Sequence, residues 1–303
     1  MPSLGISTIG ESDRLVHRRV LHRRAHDDGV NCWATARIAP PRLLAGGIDA
    51  YEDYRERTGG FTTRREVPHA EAVLIINLGE PIAVTGGDGH VLHVAAGEGF
   101  VAGAHLRPAL SRSGGAQSGM HVRLPLTTLR RMLGLPMTAL MDRVVPLDAL
   151  LGVQARALGL RLGAARDLAG RVAVLDDALS RRLAATPRLG RQQDHAVRLL
   201  RDRPEQDIAG IARDIGWSRK HFAARVQDAV GVGPRCFRRL LRFQNLTALI
   251  GGADGSASWA GLAQDAGYCD QSHMIREFRE FSGLTPGAYR ALLLPDGGGV
   301  IEA

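Results

Sequence analysis

Three regimes of hydrophobic patterning follow one another along the chain. From about residue 34 to 126 the apolar positions come in short runs punctuated by glycine: AEAVLIINLG (70–79), IAVTG (82–86) after Glu80-Pro81, the turn cluster GGDG (86–89), HVLHVAAG (90–97) and the alternating SGMHVRLPL (118–126). Short β-branched runs broken by glycine turns predict the strands of a small sandwich or barrel. At Pro125 the period lengthens. TTLRRMLGL opens a helix with Thr127 or Thr128 as N-cap, and Leu147, Leu150, Leu151, Leu158, Leu162, Leu168, Val172, Leu175, Leu179 and Leu183 recur at three and four, the spacing of one helix face. ATPRLGRQQD (185–194), with Pro187 and Gly190, interrupts this pattern and is expected to separate two domains.

Beyond the break one local pattern occurs twice. In DIAGIARDIGWSRKHFAARVQDAVG (207–231), Asp207 caps a helix that turns Ile208, Ile211, Ala212 and Ile215 inward, Gly216 ends it, and Ser218 caps a second helix carrying Phe222, Val226 and Val230. In SWAGLAQDAGYCDQSHMIREFREFSG (258–283), Ser258 precedes a helix with Leu262, Ala263 and Ala266, Gly267 stops it, and Asp270 caps a helix with Met274 and Phe278. Helix, glycine turn, second helix is the helix-turn-helix unit. A small residue such as Ala212 or Ala263 lets the second helix pack close. That helix then offers a polar N-terminal end, with the positive end of its dipole, to the major groove.

The segment from about 192 to 294 resembles the AraC/XylS family of bacterial transcription regulators, whose DNA-binding unit is two helix-turn-helix motifs joined by a long helix. GYCDQSHMIREFREFSGLTPGAYR (267–290) keeps the family signature in register at Asp270, Ser272, Arg276, Phe278, Gly283, Thr285-Pro286 and Tyr289-Arg290. GWSRKHFAARVQDAVGVGPRCFRRLLRFQ (216–244) is similar to its first half, including the stop from Gly231 to Pro234 and the RFQ of the linker helix. The resemblance covers about a third of the chain. It implies recognition helices entering successive major-groove segments, with Lys220, Ala223 and Ala224 of the first and Ser272, His273 and Arg276 of the second at base-contacting positions. Ala223 and Ala224 depart from the long polar side chains found there, which shifts the first helix toward phosphate or guanine contacts from Ser218, Arg219, Lys220 and Arg225. Gln271 suits adenine and Arg276 guanine.

The expected organisation is α+β: a disordered basic arm over 1–30, a cupin-like or small-barrel β-rich regulatory domain over 31–126, a helical connector and dimerisation segment over 127–190, an all-α DNA-binding domain over 191–294 and a flexible tail over 295–303. Length agrees with more than one domain, since 303 residues at about 150 per domain make two. The net charge of +8 is carried by arginine, Lys220 being the sole lysine, and it is unevenly spread. Residues 191–250 hold 12 basic and 6 acidic side chains, and residues 251–303 hold 3 and 7. The first motif and the linker helix are therefore the electrostatic half, and Arg235, Arg238, Arg239 and Arg242 are candidate phosphate contacts. Gly251, Gly252 and Gly255 are expected to loosen the junction that follows.

Other totals exclude function classes. No apolar run approaches the roughly 18 residues of a membrane span and no apolar stretch follows the first basic residues, so the expected compartment is the cytoplasm and no membrane partner is expected. Cys32, Cys236 and Cys269 are odd in number and lack a CxxC spacing, which argues against a disulfide framework or a zinc site. Aromatic residues at 5% are too few for a single-strand stacking platform.

The enzymatic alternative is a cupin-like metalloenzyme using His90, His93, Glu98 and His105. A strand would turn His90 and His93 to opposite faces, and the HxH spacing is absent. AQSGM (116–120) lacks the GxSxG elbow, the cysteines have no evident histidine partner, and no GxGxxG opens a βαβ unit. No catalytic residue, metal or cofactor is assigned. The expected partners are double-stranded DNA, a second copy of the chain, RNA polymerase and a small effector of unknown identity lodged near LIINLG (74–79) and FVAGAHLRP (100–108). The non-enzymatic alternative is a dimeric DNA-binding protein that takes no effector.

Overall fold

A run such as AVLII, apolar without alternation, needs cover on both sides. The computed structural model describes residues 16–59, 62–187, 190–253, 257–293 and 300–301, and its larger sheet supplies that cover. Among the described residues, seven antiparallel strands lie in the order β1 (Val20–Asp27), β2 (Cys32–Ile38), β3 (Ala50–Arg57), β10 (Ala116–Pro125), β5 (Glu71–Asn77), β8 (Gly99–Ala102) and β11 (Val144–Pro146). A second sheet runs β12 (Val300–Ile301), β4 (Thr62–Glu66), β9 (Ala109–Ser113), β6 (Ile82–Thr85), β7 (Val91–Val94). Because side chains alternate along a strand, β5 sends Leu74 and Ile76 to one face and Val73 and Ile75 to the other. Leu74 and Ile76 join Met120, Val122 and Leu124 of β10 in a buried cluster with Leu129 and Met132 of helix α1 (Leu126–Leu133). Each such fully buried side chain contributes about 1.5–3 kcal/mol. Val73 and Ile75 look into the space between the sheets.

Helices α2 (Leu147–Leu151), α3 (Val153–Ala164) and α4 (Leu168–Ala185) follow, and α4 sends Val172, Leu175 and Leu179 into the same core. Asp176 of α4 accepts from Tyr51 Oη at 2.9 Å and pairs with Arg19 at 2.6 Å, and Arg171 pairs with Asp53. The C-terminal domain is helical: α5 (Arg191–Asp202), α6 (Ile208–Asp214), α7 (Arg219–Val230), α8 (Pro234–Gly252), α9 (Trp259–Asp265), α10 (Gln271–Ser282) and α11 (Pro286–Leu292). Its centre is aromatic, with Phe222, Phe237, Phe243 and Phe278 fully buried.

Four sequence expectations need correction. Within the arm expected to be disordered, residues 1–15 lie outside the described residues, but Val20–Asp27 pairs with β2 from Val20/Ile38 to Asp27/Cys32. The strand escaped the hydrophobic pattern because nearly all its side chains are exposed; backbone hydrogen bonds and the anchored Arg19 hold it. The connector is not wholly helical, because Val144–Pro146 pairs with β8 and forms the sheet edge. Helix α1 starts at Leu126 directly after Pro125, with no side-chain cap. Thr128 is buried one turn in rather than capping. Within the tail expected to be flexible, Val300 and Ile301 pair with Arg65 and Arg64 of β4, and Val300 is fully buried. Of the junction glycines, Gly251 and Gly252 form the last turn of α8, whereas Gly255 lies outside the described residues.

Candidate nucleic-acid interface

The two motifs are built by the same local chemistry. Asp207 and Ser258 accept from the backbone N–H of Gly210 and Gly261 to start α6 and α9. Both helices end at a glycine in the left-handed region, Gly216 with φ +78° and Gly267 with φ +83°, where a side chain would be strained. After the turn, the Trp217 N–H donates to Ala212 O and the Tyr268 N–H donates to Ala263 O, each at 2.8 Å. Ser218 and Asp270 then cap α7 and α10 through the N–H of His221 and His273. Ala212 and Ala263 are buried in the crossings, as small residues there must be.

The polar faces differ in what they leave free. On α7, Arg219, Lys220 and Ala224 are exposed and Ala223 is half-buried. Arg225 turns back, donating to Gln193 Oε1 at 3.2 Å, while Gln193 donates to Arg225 O and Asp228 Oδ2 at 2.8 Å each. Ser218 has its hydroxyl engaged as the cap. On α10, Gln271, Ser272 and Arg276 are exposed, and His273 packs edge-on against Tyr268.

The linker-helix arginines are mostly committed within the protein. Arg239 Nε donates to Glu277 Oε2 at 2.7 Å and its Nη2 to Glu280 at 2.5 Å, while Arg242 reaches Glu277 at 3.2 Å. The paired carboxylates raise the already high pKa of Arg239. Arg239 also lies over the Phe281 ring and Arg242 over the Tyr268 ring. Arg238 donates to Arg203 O at 2.7 Å. Of the four candidate phosphate contacts, Arg235 alone is exposed with no hydrogen-bond or ion-pair partner among the described residues. Glu277 was missed by sequence reasoning although a signal existed. It lies one turn from Met274, beside Phe278 on the apolar face of α10, and a carboxylate on such a face needs a cationic partner.

Polar contacts tie the C-terminal domain to the connector and to the β-rich domain. Asp228 of α7 pairs with Arg130 of α1 at 2.7 Å. Arg65 of β4 donates to Ser282 O, at the end of α10, at 3.0 Å. Gln244 of α8 grips the strand that enters β5: its Oε1 accepts from the Ala70 N–H at 3.0 Å and its Nε2 donates to Glu71 Oε1 at 2.9 Å. Between those two residues and the inter-sheet space sits His69, which with Arg64, Glu66 and Val67 lines a cavity of about 180 Å³. Ile75, Phe100, Ala102 and His105, from the two segments expected near an effector, also line it.

The candidate metal ligands do not converge. His90 is 86% exposed beside Asp88, His93 is exposed, Glu98 accepts from the Ala95 N–H, and His105 faces the interior. Among the described residues no three His, Cys, Asp or Glu side chains could hold a metal ion together. No described helix is long and apolar enough to cross a membrane.

Residues 211–292, which span most of both motifs, match the family model described as a helix-turn-helix domain. Among solved structures, ToxT from Vibrio cholerae is similar over 86% of this chain and 98% of its own, at 10% identity and a TM-score of 0.49. The DNA-binding domain of AdpA, in complex with a target DNA, matches 34% of this chain and 92% of its own, at 25% identity and a TM-score of 0.31. The C-terminal domain of AraT, a response regulator from Geobacillus stearothermophilus, matches 35% and 88%, at 16% identity and a TM-score of 0.32. No curated protein matches the chain.

Proposed function

We propose that this chain is a sequence-specific double-stranded DNA-binding transcription regulator that responds to a small effector through its N-terminal β-rich domain. The observation that carries the reading is the pair of glycine-turned, side-chain-capped helix pairs, each presenting an exposed polar N-terminal end. Arg219, Lys220 and Arg235 supply phosphate contacts, and Gln271, Ser272 and Arg276 read base edges. Ala223, Ala224 and His273 lie at the remaining base-facing positions, and Ser218, Arg225, Arg239 and Arg242 hold the helices in place rather than touching DNA. The effector acts on the strand entering β5, whose Ala70 and Glu71 are gripped by Gln244 of the linker helix.

The chain is not an enzyme in this reading. It works in the cytoplasm as a homodimer, and the bound dimer touches RNA polymerase. The arrangement of an arm over 1–30, regulatory domain, helical connector, DNA-binding domain from 191 and tail is kept, with β1, β11 and β12 reassigned to the β-rich domain. Selection of bound sequences from random double-stranded DNA by the full chain, at physiological salt, tests the reading. A defined site, with affinity at least about a thousandfold above bulk DNA, is the expected result. Binding without sequence preference would refute it.

A further inference from the structure

We propose that the cavity between the two sheets is the effector site and that its occupant is an uncharged, benzene-sized amphiphile whose hydroxyl or carboxamide is held by His105 and His69. This rests on the regulator reading above and adds to it the chemical class of the ligand. The size follows from the volume: about 180 Å³, where a cavity of about 150 Å³ admits benzene. One part of the wall is apolar, built by Ile75, Ile82, Val84 and Phe100, which suits a hydrocarbon body.

The other part selects the polar group. His105 is 5% exposed, lines the cavity, and neither of its ring nitrogens has a hydrogen-bond partner among the described residues. A neutral imidazole has one donor and one acceptor, and leaving both unmatched in a buried site is costly. His69 places Nδ1 at 2.8 Å from Glu71 O, so the proton sits there and Nε2 is left as an acceptor. Burial pushes both imidazoles toward the neutral form, that of His69 down to about 4.

The wall carries three arginines, Arg55, Arg64 and Arg123, against three carboxylates, Glu52, Glu56 and Glu66, and Arg64 is paired with Glu56 and Arg123 with Glu52. A carboxylate ligand has no proton to give His69 Nε2, and a wall of balanced charge offers it no net attraction to offset its desolvation. An ammonium ligand has no lone pair for the His105 N–H and gains no net attraction from the same balanced wall. A hydroxyl or primary amide donates and accepts at once.

The test uses the full chain at pH 7.5 with five probes of nearly equal size: benzyl alcohol, benzamide, toluene, benzoate and benzylammonium. Benzyl alcohol and benzamide are expected to raise the apparent Tm by about 3 °C at ten times Kd, with the two ions leaving it unchanged. His105→Leu is expected to weaken benzyl alcohol about tenfold while toluene is unaffected. Should that variant not fold, Ile75→Trp, which fills the apolar part, must abolish the shift. Benzoate or benzylammonium matching the alcohol, no probe binding, or equal alcohol binding by His105→Leu would overturn the proposal. Gel shifts on selected DNA separate the two readings. Specific DNA binding without any probe response removes only this inference, whereas a probe response without specific DNA binding removes the regulator reading.

Discussion

At residue scale, the second helix of the second motif is held to the linker helix by a side chain that is itself buried. Glu277 is 3% exposed and draws Arg239 and Arg242 of the linker helix onto α10. Its carboxylate is already desolvated, and its loss leaves Arg242 without the carboxylate it pairs with and Arg239 with Glu280 alone. Glu277→Gln is expected to lower stability by about 1.5–3 kcal/mol in urea unfolding, and Arg239→Ala to cost less in that background than alone. Arg276 is exposed one residue earlier and is not part of this network. Arg276→Ala is expected to weaken specific binding by about tenfold to a hundredfold, through about 1–3 kcal/mol at one base pair, with an unchanged melting curve. An equal loss on specific and random DNA would show that Arg276 grips phosphate instead. The capping residues Asp207, Ser218 and Asp270 were legible in sequence because a cap needs only neighbours along the chain, and Ser258, placed just before its helix, proves to cap it as well. The ion pairs of Glu277 were not legible, since their partners come from another helix.

At the scale of elements, the linker helix changes character once its partners are known. Its arginine row reads in sequence as a phosphate-binding face. Folded, Arg238 caps a carbonyl of the segment after α5, and Arg239 and Arg242 brace α10, so the row is largely structural. In the proposed reading the phosphate grip falls to Arg219 and Lys220 at the start of α7 and to Arg235. Arg219→Ala and Lys220→Ala are each expected to flatten the plot of log K against log salt by about one, while Arg239→Ala leaves the slope unchanged. Titrations across a range of salt concentrations would decide it. Strand β1 teaches the converse lesson. With its side chains in solvent it has no apolar alternation to announce it, and its place is fixed by the backbone ladder to β2.

At the scale of the whole molecule, the DNA-binding domain is fastened to the connector through Arg130–Asp228 and to the β-rich domain through Arg65–Ser282 and the Gln244 clamp. The clamp holds Ala70 and Glu71, which follow His69 of the cavity wall directly in sequence. Gln244→Ala is therefore expected to leave effector binding intact while abolishing its effect on DNA affinity, a coupling of about 5- to 150-fold in regulators generally. Paired calorimetric and gel-shift titrations would show whether the two are separable. The cavity also sets a pH dependence. His69 and His105 have their pKa depressed below the usual 6.5, so between there and about 4 the unfolded chain binds more protons than the folded one. Stability is expected to fall as pH drops through that window and to level off below it. Tm measured against pH should show this, and His69→Phe should shallow the fall. The sequence by itself determined the double helix-turn-helix, its caps and turns, and the β-rich class of the N-terminal part, because each is written in residues within a few positions of one another. Tertiary structure alone decided which arginines are engaged within the protein, where Val20–Asp27 and Val300–Ile301 join the sheets, and that His69, His105 and His121, far apart in sequence, line one cavity. Those outcomes depend on which distant groups come into contact, and a carboxylate or an imidazole acquires its role from the charge, burial and hydrogen-bond partners that folding brings to it.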